Sequence, residues 1–111
     1  MKIKAEGARK SYRENGAGVG PITVEFESGS FNSILGPSGC GKSTFLRMIA
    51  GLEVLDQGRI EIISTEPRVS FVFQEPALLP WKNVLENITL PLEIKKIDSH
   101  QQRTEAKFWM D

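Results

Sequence analysis

The nine residues GPSGCGKST, 36–44, place three glycines, a proline and one lysine between the largely apolar FNSIL at 31–35 and FLRMIA at 45–50. The residues with least conformational restraint stand where the chain passes from an extended run into a helical one. Gly36, Gly41, Lys42 and Ser43 fit the spacing G-x-x-x-x-G-K-[ST] of a phosphate-binding loop. Glycines at Gly36, Gly39 and Gly41 let the backbone curl its N–H groups toward phosphate oxygens where a Cβ would intrude. Pro37, Ser38 and Cys40 fill the variable slots, so their backbone matters more than their side chains. A helix beginning near Gly41 adds the partial positive charge of its N-terminus. Lys42 then reaches the β and γ phosphates, Thr44 donates to the α phosphate, and the Ser43 hydroxyl is a ligand for Mg²⁺, which completes its octahedron with phosphate and water. The plain alternative, a glycine-rich turn capping an ordinary helix, explains neither the lysine nor the full spacing.

Outward from this loop the chain reads as an α/β domain. Ile22, Val24 and Phe26 alternate with Thr23 and Glu25 as in a half-buried strand, and Ser28-Gly29 marks a turn. Residues 31–35 read as the next strand. Residues 44–50 read as a helix, with Gly51 as its C-terminal stop. Gly58 precedes a strand at 59–63, and VSFVF at 69–73 is short, β-branched and aromatic, as in a buried strand. The turn between them, STEPR at 64–68, is short. Asn83 with Glu86 forms a capping box opening a helix that Pro91 should kink or break, and Ser99 with Gln102 repeats the signal. In that last helix Ala106, Trp109 and Met110 fall at i, i+3 and i+4, an apolar stripe that reaches the final residues without a terminating signal.

Composition narrows the partners. Fourteen Lys and Arg against fourteen Asp and Glu leave no net charge, so the basic stripe of a nucleic-acid or anionic-lipid binder is not expected. No apolar run approaches the ~20 residues of a spanning helix, which argues against direct membrane insertion. A single cysteine, Cys40, excludes an internal disulfide, and nothing around it argues for a catalytic thiol. The opening MKIKAEGARKS lacks the apolar centre of a secretory signal, so a cytoplasmic location is expected. His100, the lone histidine, falls in the polar start of the last helix and reads as solvated.

ILGPSGCGKSTFLRMIAGLEVLDQGRI at 34–60, followed by FVFQEPALLPWKNVLENI at 71–88, resembles the nucleotide-binding subunit of ABC transporters. The likeness is greatest to ATPases serving nitrate, sulfonate and taurine importers, toward which LLPW at 78–81 points. The resemblance implies ATP as ligand. It makes Gln74 the glutamine that reaches Mg²⁺ and the attacking water, and Tyr12 an aromatic that stacks on adenine through its ring face. It makes Trp81 a packing or partner-contact residue near a permease. It further implies a head-to-tail dimer with a second ATPase subunit, docked on a transmembrane permease at the cytoplasmic face of the membrane. The expected fold is a P-loop core of mixed sheet with an antiparallel β-subdomain over residues 1–82, and the start of a helical subdomain over 83–111. The family's signature loop and the acidic motif with its catalytic glutamate have no match in residues 1–111. These residues by themselves are therefore expected to bind nucleotide without turning it over, to be marginally stable, and to have no catalytic residue of their own. Alternatives from other classes are a stand-alone, non-hydrolysing nucleotide-binding module and another P-loop kinase or GTPase.

Overall fold

A computed structural model describes residues 1–12, 18–75 and 77–110. Pro76, inside the second resembling block, and Asp111 lie outside the described residues. The chain divides into two compact units, Met1–Phe71 and Val72–Asp111.

The first unit is built on β1 (Lys2–Ser11), β2 (Gly18–Phe26) and β3 (Gln57–Ile63), which form an antiparallel sheet in the order β2-β1-β3. Alternation decides its two faces. On one, β1 sets Lys4 opposite Glu25 and Glu61, and Glu6 opposite Arg59. Ion pairs lace that face together: Lys2 to Glu25 at 2.7 Å, Lys4 to Glu6 at 2.7 Å and Arg59 to Glu6 at 2.6 Å. The other face is apolar, and helix α1 (Lys42–Ile49) packs on it. Phe45 and Met48, three apart and so on one side of the helix, are buried in a cluster with Ala5 and Ala8, with Ile22, Val24, Phe26, Ile34 and Ile60 packed around them. Ala5 and Ala8 share that face despite their odd spacing because the pairing with β2 shifts register between them, an extra residue that restores the phase.

α1 ends as expected at Gly51. Its φ of 71° is the left-handed conformation that closes a helix, and Leu52 N–H donates to Arg47 C=O at 2.8 Å while Gly51 N–H donates to Met48 C=O at 3.1 Å. These are the two bonds of a Schellman motif.

Two expected strands are not formed. Neither residues 31–35 nor residues 69–73 form a strand, and among the described residues the sheet is wholly antiparallel, not mixed. Phe31 is 95% exposed and Leu35 89%. A strand needs a neighbouring backbone to take its N–H and C=O groups, and the three strands of the sheet pair with one another. Only Ile34 of the 31–35 run reaches the core.

The second unit holds α2 (Val84–Ile94) and α3 (Ser99–Met110), packed on each other. The Asn83–Glu86 capping box is formed in both directions, at 2.8 and 2.9 Å. Pro91 does not break α2, which runs on to Ile94. The proline is exposed, and the helix continues past it at the cost of one intrahelical hydrogen bond. α2 stops instead at Lys96, a non-glycine at φ 57°, with Ile97 N–H on Leu92 C=O at 3.0 Å and Lys96 N–H on Glu93 C=O at 2.9 Å. α3 is capped one residue earlier than its sequence suggests. Asp98 Oδ1 accepts from His100 N–H at 2.9 Å and Gln101 N–H at 3.3 Å, a carboxylate favoured over the Ser99 hydroxyl by the helix dipole. Ala106 is buried, but Trp109 is 75% exposed and Met110 47%, so the expected stripe covers nothing beyond its first member.

Candidate functional site

The phosphate loop lies in the first unit, held at its end by α1. Gly41 is the residue before the helix, at φ 97° and ψ 8°. A Cβ there would stand 2.6 Å from both Cβ and Cγ2 of Val19 on β2, so the left-handed backbone and the close approach of the strand both require glycine. A glycine at this point also has no side chain to cap the helix. Phe45 N–H makes the first intrahelical bond, to Gly41 C=O at 2.9 Å, and α1 has no capping side chain. The N–H groups of Lys42, Ser43 and Thr44 therefore begin the helix as donors without intrahelical acceptors. An anion is their natural partner.

Lys42 is folded back over the loop. Its ammonium donates to Gly36 C=O at 2.8 Å and Pro37 C=O at 2.7 Å and stands 3.7 Å from Cys40 Sγ. Cys40 N–H turns back to Pro37 C=O at 3.4 Å. Pro37, Ser38, Gly39, Cys40 and Ser43 are exposed, while Gly41, Lys42 and Thr44 are half-buried. The loop is thus an open concavity of backbone groups with one cation at its centre. A neighbouring cavity of about 580 Å³ reaches Lys42 and Ser43 and is walled on one side by Phe26, Ile34, Leu46 and Ile49 and on the other by the turn from Glu27 to Ser30 with Asn32.

Tyr12 is brought to this loop. Its hydroxyl lies 3.3 Å from Thr44 Oγ1 and 3.3 Å from Glu53 Oε2, and its ring is half exposed. Sequence reading missed Glu53, which stands 41 positions from Tyr12 and belongs to no short motif. Asp56, also missed, accepts Ser11 N–H at 2.7 Å and Lys10 Nζ at 3.1 Å. The Ser11 N–H and, after it, Lys10 hold the Asp56 carboxyl below the usual carboxylate range, and Asp56 raises Lys10 in return.

Gln74 belongs to the second unit, where it is exposed. In that unit Asn87 fastens the LLPW loop to α2: its Oδ1 accepts Leu79 N–H at 2.8 Å, and its Nδ2 donates to the carbonyls of Leu79 at 3.2 Å and of Lys82 and Asn83, each at 2.9 Å. The loop backbone is held while Leu78 and Trp81, 69% and 74% exposed, project from it. His100 is exposed, as expected. Among the described residues no group of three or more His, Cys, Asp or Glu side chains could hold a metal, and no helix is long and apolar enough to cross a membrane.

Together the uncapped helix, the curled loop and its lysine define a P-loop protein. Comparison with known proteins resolves the class further. The family model described as ABC transporter matches residues 19–111. The chain is 49% identical over 88 residues to an aliphatic sulfonates import ATP-binding protein of Pseudomonas savastanoi, covering 79% of this chain and 35% of the relative. It is 45% identical over 104 residues to an sn-glycerol-3-phosphate import ATP-binding protein of Paracoccus denitrificans, covering 86% and 29%. Among solved structures, a dimeric ATP-binding cassette in a post-hydrolysis state with ADP and Pi superposes with a TM-score of 0.80 at 31% identity, over 94% of this chain and 53% of that one. The chain belongs to the ABC transporter family of ATP-binding proteins, has the ABC ATPase fold, and spans well under half the length of these two import ATP-binding relatives. Both relatives are import ATP-binding proteins, one for sn-glycerol-3-phosphate and one for aliphatic sulfonates, so the solute differs within the family.

Proposed function

We propose that this chain is the nucleotide-binding part of an importer ATPase and that it binds MgATP at the loop of residues 36–44. The observation that supports this most directly is the pairing of an uncapped α1 N-terminus with the Lys42 ammonium over the loop. Binding exchanges two carbonyl acceptors of Lys42 for β and γ phosphate oxygens, while the first-turn N–H groups and Thr44 meet the remaining phosphate charge. Tyr12 offers its ring face to the base.

The donor set fits Mg²⁺ only in company with nucleotide. By the family resemblance Ser43 would offer one hydroxyl and Gln74 one amide oxygen, too few for an all-protein cage, so phosphate oxygens and water would complete the shell. When bound, the ion neutralises charge on the phosphates. Gln74 orients a water but cannot remove its proton, and residues 1–111 offer no glutamate base at the motif where the family has one. Turnover therefore belongs to a form with the rest of the relatives' length, paired head to tail with a second ATPase subunit.

In this reading residues 1–82 form the core with its antiparallel sheet and residues 83–111 open the helical subdomain. The held LLPW loop, with Leu78 and Trp81 exposed, is the face presented to a permease, which places the protein peripherally at the cytoplasmic side of a membrane. The 49% identity to the sulfonate relative, with LLPW, favours a small anion of the nitrate, sulfonate or taurine class as the solute.

Calorimetry of MgATP binding tests the central claim. Lys42→Ala is expected to weaken binding at least ~10-fold, about 1.4 kcal/mol, with the circular dichroism spectrum unchanged. Equal affinity in wild type and variant refutes it. Uptake of an alkanesulfonate against a polyamine, with the neighbouring permease, tests the solute class; polyamine uptake alone would overturn that assignment.

A further inference from the structure

Tyr12 is attached to the rest of the first unit at both ends, and both attachments come from the same short stretch after α1. We propose that Glu53 is a positioning residue for nucleotide: through the Tyr12 hydroxyl it fixes the ring that receives the base against Thr44 before nucleotide arrives. This rests on the ATP-binding reading above and goes beyond it by giving the hydroxyl, and a residue outside every motif, a part in recognition.

The phenol has one proton, and the Glu53 carboxylate can only accept. The proton therefore points to Glu53 Oε2, at 3.3 Å. The contact with Thr44 Oγ1, also 3.3 Å, is then one in which the threonine hydroxyl donates to the phenol oxygen. Glu53 is itself placed, with Lys10 Nζ 3.5 Å from its carboxylate. The same ammonium reaches Asp56 at 3.1 Å, and Asp56 accepts the N–H of Ser11 at 2.7 Å. So the 53–56 stretch grips the backbone one residue before Tyr12 and the far end of its ring. A side chain held only at Cα sweeps through its χ1 rotamers, whereas one held at both ends keeps a single direction for its ring axis.

The consequence separates this arrangement from stacking alone. Stacking depends on the ring face, so phenylalanine would serve as well as tyrosine. Where the hydroxyl is what pins the ring, phenylalanine loses the fixed position. Thr44 also joins the two ends of the site, because its side chain touches Tyr12 while its backbone N–H is one of the free donors at the start of α1.

The test uses the protein expressed from its complete reading frame. Affinities for MgATP and for inorganic tripolyphosphate are measured in wild type, Tyr12→Phe, Glu53→Ala, Glu53→Gln and the double variant Tyr12→Phe/Glu53→Ala. One lost hydrogen bond corresponds to roughly threefold to tenfold, so Tyr12→Phe and Glu53→Ala should each weaken MgATP binding by that factor. The double variant should be no weaker than either alone, since both remove one bond. Glu53→Gln keeps an acceptor oxygen and should stay within about twofold of wild type. Tripolyphosphate, which has no base, should bind all variants alike. Tyr12 is the only tyrosine, so its ring carbon resonance in nucleotide-free protein should move on Glu53→Ala. Losses that add in the double variant, a matching loss for tripolyphosphate, or an unaffected Tyr12→Phe each overturn the proposal while leaving ATP binding standing. A wild-type protein without affinity for MgATP removes both readings.

Discussion

Gly41→Ala probes the point where fold and site meet. Two costs follow from the structure. An L-residue at φ 97° occupies the left-handed region, at about 1–2 kcal/mol. Its Cβ would also sit 2.6 Å from two Val19 carbons, against an optimum near ~3.5–4.0 Å, so either the end of β2 or the start of α1 must shift by roughly 1 Å, an overpacking cost of about 1–3 kcal/mol. The sum, about 2–5 kcal/mol, is a large share of the ~5–15 kcal/mol of a whole domain. Gly39→Ala is the internal control: its φ is 79° and nothing lies within 4 Å of an added Cβ, so only the backbone cost of about 1–2 kcal/mol applies. Urea unfolding of the two variants should separate them by the Val19 contact, and MgATP affinity should fall more for Gly41→Ala because the α1 N–H groups move. Pairing Gly41→Ala with Val19→Gly removes both clashing carbons and should recover part of the difference, whereas Val19→Ala keeps the Cβ and should recover less. Equal destabilisation by Gly39→Ala and Gly41→Ala would refute the claim that β2 sets the position of the loop.

Asn87→Ala removes the two bonds to the Leu79 backbone and the two to the carbonyls of Lys82 and Asn83, and leaves a half-buried N–H unpaired. A loss of about 1–3 kcal/mol with faster proteolysis between 78 and 83 is expected, and unchanged cleavage would show that the loop is held otherwise. Lys96→Gly relieves a left-handed lysine at φ 57° and should raise the unfolding midpoint, by about 0.5–1 kcal/mol of stability; a lower midpoint contradicts the Schellman assignment. The carboxyls of Glu6, Glu25 and Asp56 are held below their ordinary values, foremost by Lys4, Lys2 and the Ser11 N–H respectively. The unfolded chain binds those protons at higher pH, so this stabilisation is complete above the ordinary carboxylate range and is lost as pH falls through the depressed values. Acid titration followed by circular dichroism should show that direction, with salt lowering the amplitude of these exposed pairs. Stability that rises on acidification contradicts it.

Determined by the sequence alone were the features whose partners lie within a few residues. The 36–44 loop, the run of α1 to Gly51 and the Asn83–Glu86 capping box are each closed by bonds spanning at most six positions, so residue type and spacing suffice. The tertiary structure decided whatever needed a distant partner. Residues 31–35 and 69–73 have the pattern of strands, but pattern supplies only the faces, and a strand exists only where another offers its backbone. Pro91 has the local mark of a break, yet the helix continues past it at the cost of one intrahelical hydrogen bond. Trp109 and Met110 have helical spacing yet stay largely exposed, Trp109 meeting only the edge of Phe108 among the described rings. Tyr12 shows the difference most clearly. Its ring suggests a base from sequence, while its hydroxyl is placed by Thr44 and Glu53, 32 and 41 positions away, and no local rule spans that distance.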